Sequence, residues 1–386
     1  MIFPEYELNK FQAHYNAKAQ YRMCTAGLSP LSMSDIFSLA NEKERSDWNN
    51  LSLTYADEKG DAELRDLIAK QYPGLSAKHI VTFCGTQEAL FCTLQSTTNP
   101  NDHVITIDPA YEPLCKLPES MGARISKIAL YISPISESPI HTTHESSRWS
   151  LPLDTLLSTA NTGFKQLIIN FPHNPTGCMI DTKTQDSLIN CCHDQNAWLI
   201  SDEVFRGLEH NPDKQLVPIA SLYKKGVSLG SIGKPFGLGG IRIGWVACQD
   251  ISLLEKIIQI KRSLSICTSR ADEWIAKIVL LNSQKLLNAN RTLLNKHIQL
   301  LNANSTTLKH FHWIMPEAGS VAFPSTSQEA DIDSYADKLI QNTGIMIIPG
   351  RCFSNSSNLQ QHFRIGFGQK NFADVWEKFS NFSLSS

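Results

Sequence analysis

Six short apolar runs recur between residues 78 and 247, separated by stretches of helical periodicity: "HIVTF" (79–83), "HVITI" (103–107), "QLIINF" (166–171), "AWLIS" (197–201), "GVSLG" (226–230) and "IRIGWVA" (241–247). Strands joined through helices run parallel and are buried on both faces, so they read as continuous apolar runs. The pattern predicts an α/β fold with a mostly parallel sheet between helices. After about residue 250 the spacing turns helical, and Ile275, Ile278, Val279, Leu286, Leu287, Leu293, Leu294 and Ile298 suit one or two long amphipathic helices. The end mixes strand-like and helical segments ("FHWIMP", "VAFP", "GIMIIPG", "HFRIGFG"). We expect a large α/β domain over 45–270 and a smaller α+β domain combining 1–44 with 271–386. The stretch "HTTHESSRW" (141–149) reads as a polar loop with two exposed histidines, His141 and His144.

Bulk properties exclude several classes. A length of 386 residues and an apolar fraction of 42% fit a folded chain of two domains. A net charge of -2 argues against nucleic acid or an anionic membrane as the main partner. No apolar run approaches the roughly 18 residues of a membrane span. The opening "MIFPEYELNK" has Glu5 and Glu7 where a signal peptide needs basic residues. The ten cysteines are scattered without a CxxC pair, against a disulfide framework or a metal site. The expectation is a reduced, cytoplasmic protein without metal.

In open α/β sheets ligands bind beyond the carboxyl ends of the strands. There this sequence places one suggestive loop after another. "CGTQEALF" offers Gly85, Thr86 and Gln87 at a helix start, which is either an anion seat or a plain cap. "DPAYEPL" presents Tyr111, to stack on a flat ring or simply to pack. "PHNPTG" is a rigid turn that fixes Asn174. "DEVF" puts Asp202 at the end of an apolar run, where a carboxylate needs a cation, a salt bridge or a cap. "SIGKPFGLGGIRIGW" holds Lys234 in apolar surroundings, with Ser231 and Arg242 nearby. The alternation of Ile241, Ile243 and Trp245 around Arg242 reads as a half-buried strand. A buried lysine sheds its proton or bonds covalently, and such amines form Schiff bases. Arginine grips phosphate. Taken jointly, these residues describe a ring aldehyde bearing a phosphate, pyridoxal 5′-phosphate. Lys234 would carry it and Asp202 would hold its ring nitrogen. Asn174 would reach the ring hydroxyl, Tyr111 would stack, and Gly85, Thr86, Gln87, Ser231 and Arg242 would hold the phosphate.

With these motifs and the terminal "FRIGFG" in order, the chain resembles the class I/II aminotransferases of fold type I. The resemblance implies that Lys234 is the Schiff-base lysine and proton shuttle, and that Arg364 and Asn174 meet the substrate carboxylate. It implies that "TAGLSPLS", around Gly27, covers the substrate. It implies that "LTYADEKGDAELR" sends Tyr55 to the phosphate of a neighbouring subunit in a homodimer, acting on amino-acid and keto-acid substrates. Two positions depart from the family's habit: Phe205 stands where a tyrosine usually follows "DEV", and Gly233 stands where a serine often precedes the lysine. The opening segment, "WNNLSLTYADEKG" and "SICTSRADEWIAKIVL" are also similar to the capreomycidine-synthase branch of this fold. That branch implies elimination and ring closure on an arginine-derived amino acid, and a nearby arginine-oxidase branch shares the cofactor. A non-enzymatic regulator that binds the cofactor is the remote alternative, because no basic helix-turn-helix precedes these motifs.

Overall fold

The computed structural model describes residues 3–134, 147–305, 307–327 and 331–385. Each apolar run becomes a strand of one seven-stranded sheet. Its strands are β1 (Ile80–Cys84), β2 (His103–Asp108), β3 (Arg124–Ala129), β4 (Gln166–Asn170), β5 (Trp198–Asp202), β6 (Gly226–Ser231) and β7 (Ile243–Cys248). Their order across the sheet is β1-β7-β6-β5-β4-β2-β3. All neighbours are parallel except β7, which runs antiparallel to both β1 and β6. The architecture is therefore α/β with a mostly parallel sheet, as the run pattern requires.

Helices cover both faces, which is why the central strands carry almost no polar residue until their carboxyl ends. On one face Val81, Phe83, Ile200 and Val246 pack against Leu90, Ile257 and Ile258, from helices Thr86–Thr97 and Ile251–Arg262. On the other, Leu167, Ile169 and Leu199 pack against Leu156 and Leu188. Farther along, Ile80 and Trp245 meet Ile36, Trp274 and Ile278. Each fully buried aliphatic side chain contributes about 1.5–3 kcal/mol relative to exposure. The helical stretch after 250 resolves into Ile251–Arg262, Arg270–Leu281 and Ser283–Ser305.

The C-terminal part builds a three-stranded antiparallel sheet in which Phe363–Gly366 lies between Val321–Ala322 and Ile348–Pro349. Behind it an aromatic cluster of Phe311, Trp313, Phe363, Trp376 and Phe379 fills the core. Strand alternation then sends Arg364 to the face opposite Phe363.

Two expectations are corrected. Residues 147–149 are not loop: Ser147–Ser150 pairs with Tyr131–Pro134 in an antiparallel hairpin. Trp149 is buried there against Phe323 and His362, and that packing outweighs its polar neighbours in sequence. His141 and His144 lie outside the described residues. Secondly, β7 is buried along its whole length rather than half-buried, and Arg242 precedes it. Ile241 closes a short 3-10 turn, and Arg242 adopts a left-handed backbone (φ 52) that breaks the alternation. Among the described residues no helix is long and apolar enough to cross a membrane.

Candidate active site

A cavity of about 620 Å³ opens at the carboxyl ends of β4, β5 and β6, and the C-terminal sheet and an N-terminal helix, Glu7–Tyr15, form its other walls. Its lining includes Gly27, Thr86, Gln87, Tyr111, Asn174, Asp202, Phe205, Ser231, Lys234, Arg242 and Arg364. Eleven of the residues singled out from sequence thus share one site.

The anion seat is built by backbone geometry. Gly85 (φ +86) ends β1 and starts helix Thr86–Thr97 without a side-chain cap, so first-turn N–H groups remain free to bind a ligand. A Cβ on Gly85 would stand 2.2 Å from the Arg242 guanidinium and push that flexible tip aside, and the left-handed φ of +86 itself favours glycine here. Arg242 donates to the Gly239 and Cys84 carbonyls (3.0 and 3.5 Å). Thr86 Oγ1 donates to the Gly230 carbonyl (2.9 Å), tying the helix start to β6. Ser231 Oγ accepts from the Gly233 N–H (2.7 Å), so the glycine before Lys234 folds back onto this seat.

Lys234 lines the cavity. Burial, with help from the nearby Arg364 and Arg242 charges, lowers its pKa to about 8, although Asp202 pulls the other way. Asp202, buried at the end of β5, is raised to about 6, chiefly by burial and against the opposing N–H of Val204 (3.1 Å) and the charge of Lys234. A buried carboxylate with so little compensation calls for a cationic partner.

Arg364 crosses from the small sheet to close the site. Its Nη1 donates to Asn174 Oδ1 and its Nη2 to the Cys24 carbonyl (both 2.9 Å), while its buried Nε has no partner among the described residues. Tyr111 donates to Gln87 (3.2 Å). Phe205 is buried, with its ring against Gly319. The Gly27 carbonyl accepts from Gln369 (2.9 Å), which pins the N-terminal strip over the cavity.

Sequence reasoning missed Asn170. Its amide donates to the Asp202 carbonyl (2.7 Å) and its Oδ1 accepts from the Asn174 N–H (2.9 Å), so it locks two site residues together. The signal was present: like Asp202, Asn170 is a polar residue at the buried end of an apolar run. The cavity-lining N-terminal helix was also missed. Tyr55, by contrast, does not enter this cavity. It is 81% exposed, in a separate depression with Leu53, Cys267, Thr268 and Arg270.

The donor set fits pyridoxal 5′-phosphate. A glycine-cleared arginine and free helix N–H groups suit a phosphate, a buried carboxylate suits a ring N–H, and a lysine with a lowered pKa suits an aldehyde. One consequence concerns pH. Because the free base of Lys234 predominates above about 8, its reaction with an aldehyde reagent should rise through a midpoint near 8, measured by trapping rates between pH 6 and 10. A midpoint near the ordinary lysine value of 10.5 would contradict the burial of this amine.

Comparison with known proteins agrees with this chemistry. The family model for aminotransferase class I and II matches residues 38–374. Capreomycidine synthase of Streptomyces vinaceus is 25% identical, over 80% of this chain and 75% of that one. Arginine–pyruvate transaminase AruH of Pseudomonas aeruginosa is also 25% identical, over 81% and 77%. The crystal structure of a PLP-dependent aminotransferase from Streptococcus suis superposes with a TM-score of 0.88 at 24% identity, covering 99% of this chain and 98% of that one. From its fold, its family match and the donors gathered around Lys234, the chain is a fold-type-I enzyme of pyridoxal 5′-phosphate and belongs to the class I and II aminotransferases.

Proposed function

We propose that this enzyme moves an amino group between an amino acid and a 2-oxo acid, with Lys234 as the residue that carries the cofactor and moves the proton. The observation behind this reading is the placement of Lys234, with its pKa near 8, in one cavity with Asp202, Arg364 and the anion seat at Gly85 and Arg242. When bound, pyridoxal 5′-phosphate supplies an aldehyde that captures amines and a protonated ring that accepts negative charge from the substrate Cα. Arg242, Ser231, Thr86, Gln87 and the N–H groups after Gly85 would hold its phosphate. Asp202 would hold its ring nitrogen, Asn174 would face its ring oxygen, and Tyr111 and Phe205 would flank the ring. Arg364 would grip the substrate carboxylate with two N–H groups, orienting the Cα–H toward Lys234. Lys234 Nζ, uncharged near neutral pH in part of the population, would take that proton and return it. The walls from Gly27 and helix Glu7–Tyr15 would keep water from the reacting carbon.

We also propose a homodimer in a reducing, cytoplasmic setting, with the two-domain division expected from sequence. The exposed Tyr55, which shares a depression with the exposed Leu53, supports a shared face through which Tyr55 would reach the partner's phosphate. All ten cysteines are free, in keeping with the compartment. A protein that sediments as a dimer, and whose Tyr55→Phe variant holds the cofactor about tenfold more weakly, is the expected result. A fully active monomer would overturn the dimer.

A second reading is favoured by the similarity to capreomycidine synthase: elimination or ring closure at the same site. One experiment separates the two. The purified enzyme is mixed with single amino acids, arginine and its derivatives included, without a 2-oxo acid, and the cofactor is analysed. Accumulation of pyridoxamine phosphate with release of a 2-oxo acid supports transamination. Product formation with the cofactor unchanged supports the lyase or cyclase reading.

A further inference from the structure

Lys234 stands between two residues that treat its backbone in opposite ways. Gly233 before it rotates freely, and its N–H is fixed by donating to Ser231 Oγ (2.7 Å). Pro235 after it has φ locked by its ring and is buried, so its carbonyl needs a donor. That donor comes from far along the chain: Asn290 Nδ2 donates to the Pro235 carbonyl (2.9 Å). Among the described residues no backbone N–H reaches this carbonyl.

Asn290 holds an unexpected place in its own helix. In helix Ser283–Ser305, Leu287, Leu294 and Leu301 recur at i, i+7 and i+14, and they pack in the same core as Phe363 and Phe379. Asn290 stands at i+3 of that stripe, where an apolar residue would be the ordinary choice. It lines a narrow crevice with Phe236, Leu286 and Leu293. Leu294 and Leu301 are wholly buried, so the helix is a rigid mount for the one amide. The next residue offers a contrast. Arg291 Nη1 donates to the Gly207 carbonyl (3.3 Å), so the same turn also braces the segment after Phe205.

We propose that Asn290 is a positioning residue for Lys234: by holding the Pro235 carbonyl it fixes the loop and keeps the Lys234 amine at one place in the cavity. This rests on the reading of Lys234 as the residue that carries the cofactor and moves the proton. Reacting atoms must meet at about 3–3.5 Å in alignment, so a loop freed at one end loses rate more than substrate affinity. An amine that gains freedom to reach water also recovers solvation of its charged form, which raises its pKa.

The test compares Asn290→Leu and Asn290→Ala with Arg291→Met. Leucine keeps the volume and suits the apolar crevice, alanine leaves the volume empty, and neither can donate. Two quantities are read. One is turnover at saturating substrate, set against KM. The other, in the apoprotein, is the pH midpoint for trapping pyridoxal on the Lys234 peptide with cyanoborohydride. Both Asn290 variants should lose about tenfold in turnover, the rate equivalent of one carbonyl left without its donor. KM should change less than about twofold. The trapping midpoint should move above the wild-type value of about 8 in both, and stay in place in Arg291→Met. Unchanged turnover and midpoint in the two Asn290 variants overturn the proposal. So does a loss confined to KM, a loss in Asn290→Ala alone (which would mean packing), or an equal shift of the midpoint in Arg291→Met. The two readings fail separately. Near-normal turnover in Lys234→Ala would remove the lysine assignment, whereas normal turnover in Asn290→Leu beside an inactive Lys234→Ala would remove only the role of Asn290.

Discussion

Replacing Lys234 by alanine is expected to lower turnover by at least about 10²–10⁴-fold, the range that a positioned proton-transfer group contributes. The true loss should exceed that range, because on the proposed reading one amine would serve as both nucleophile and base. The variant should still bind pyridoxal 5′-phosphate, since Arg242, Ser231 and the N–H groups after Gly85 remain, but borohydride should no longer fix the cofactor on the chain. An internal control is available. Lys261 is also buried, yet its Nζ donates to the Glu58 carbonyl (2.5 Å) outside the cavity. Peptide mapping after borohydride treatment of the wild type should find the label on Lys234 and none on Lys261. Near-normal turnover in Lys234→Ala, or a label on Lys261, would refute the assignment.

Asp202→Asn should separate activity from stability. Asparagine can still accept from the Val204 N–H but carries no charge for a ring N–H, and loss of one such electrostatic partner costs about 10²–10³ in rate. The apoprotein should move the other way. The Asp202 pKa rises from 3.8 to about 6 on folding. Folding therefore favours the protonated carboxyl, and that contribution is complete below about 3.8 and lost as pH rises through 6. At one pKa unit per about 1.4 kcal/mol, the ionised group costs the apoprotein on the order of 3 kcal/mol at pH 7. Asp202→Asn should therefore raise the melting temperature of the apoprotein at pH 7 and leave it nearly unchanged at pH 3.5. With cofactor bound the advantage should shrink or reverse. An apoprotein that melts lower than the wild type at pH 7 would mean that Asp202 already has a cationic partner in the fold.

The sequence was most legible where burial is most complete. β4, β5 and β6 announce themselves as apolar runs, and their carboxyl ends and the loops after them hold Asn174, Asp202, Ser231 and Lys234, because a sheet covered on both faces leaves its carboxyl ends as the open place for polar groups. β3 was missed for the opposite reason. As an edge strand it is exposed at Arg124, Lys127 and Ala129, so its composition does not differ from that of a loop. Trp149 misled because its burial depends on Phe323 and His362, far away in sequence. Arg242, singled out for its charge, does line the cavity, but it was placed in a strand, since nothing in "IRIGW" shows a left-handed arginine. Helix Glu7–Tyr15 was missed as a cavity wall, since which of its sides meets the cavity depends on its anchoring by Glu112, Arg351 and Asp337, far away in sequence.

The antiparallel placement of β7 has a consequence for the timing of synthesis. Because β7 returns directly beside β6 and then pairs with β1, Arg242 reaches the Cys84 carbonyl across 158 positions of chain. At about 5–20 residues per second, roughly 10–30 s separate the emergence of the two halves of the proposed phosphate seat from a ribosome. Until the second half arrives, β1 has no neighbour on that side and the helix start at Thr86 has no arginine beside it. The cofactor can favour only chains that have already closed this pairing of β1 with β7, since a ligand favours the states that bind it. Supply of the cofactor would thereby act selectively on finished molecules: a nascent or truncated chain ending before Ile243 should gain no protection from it, and a completed one should.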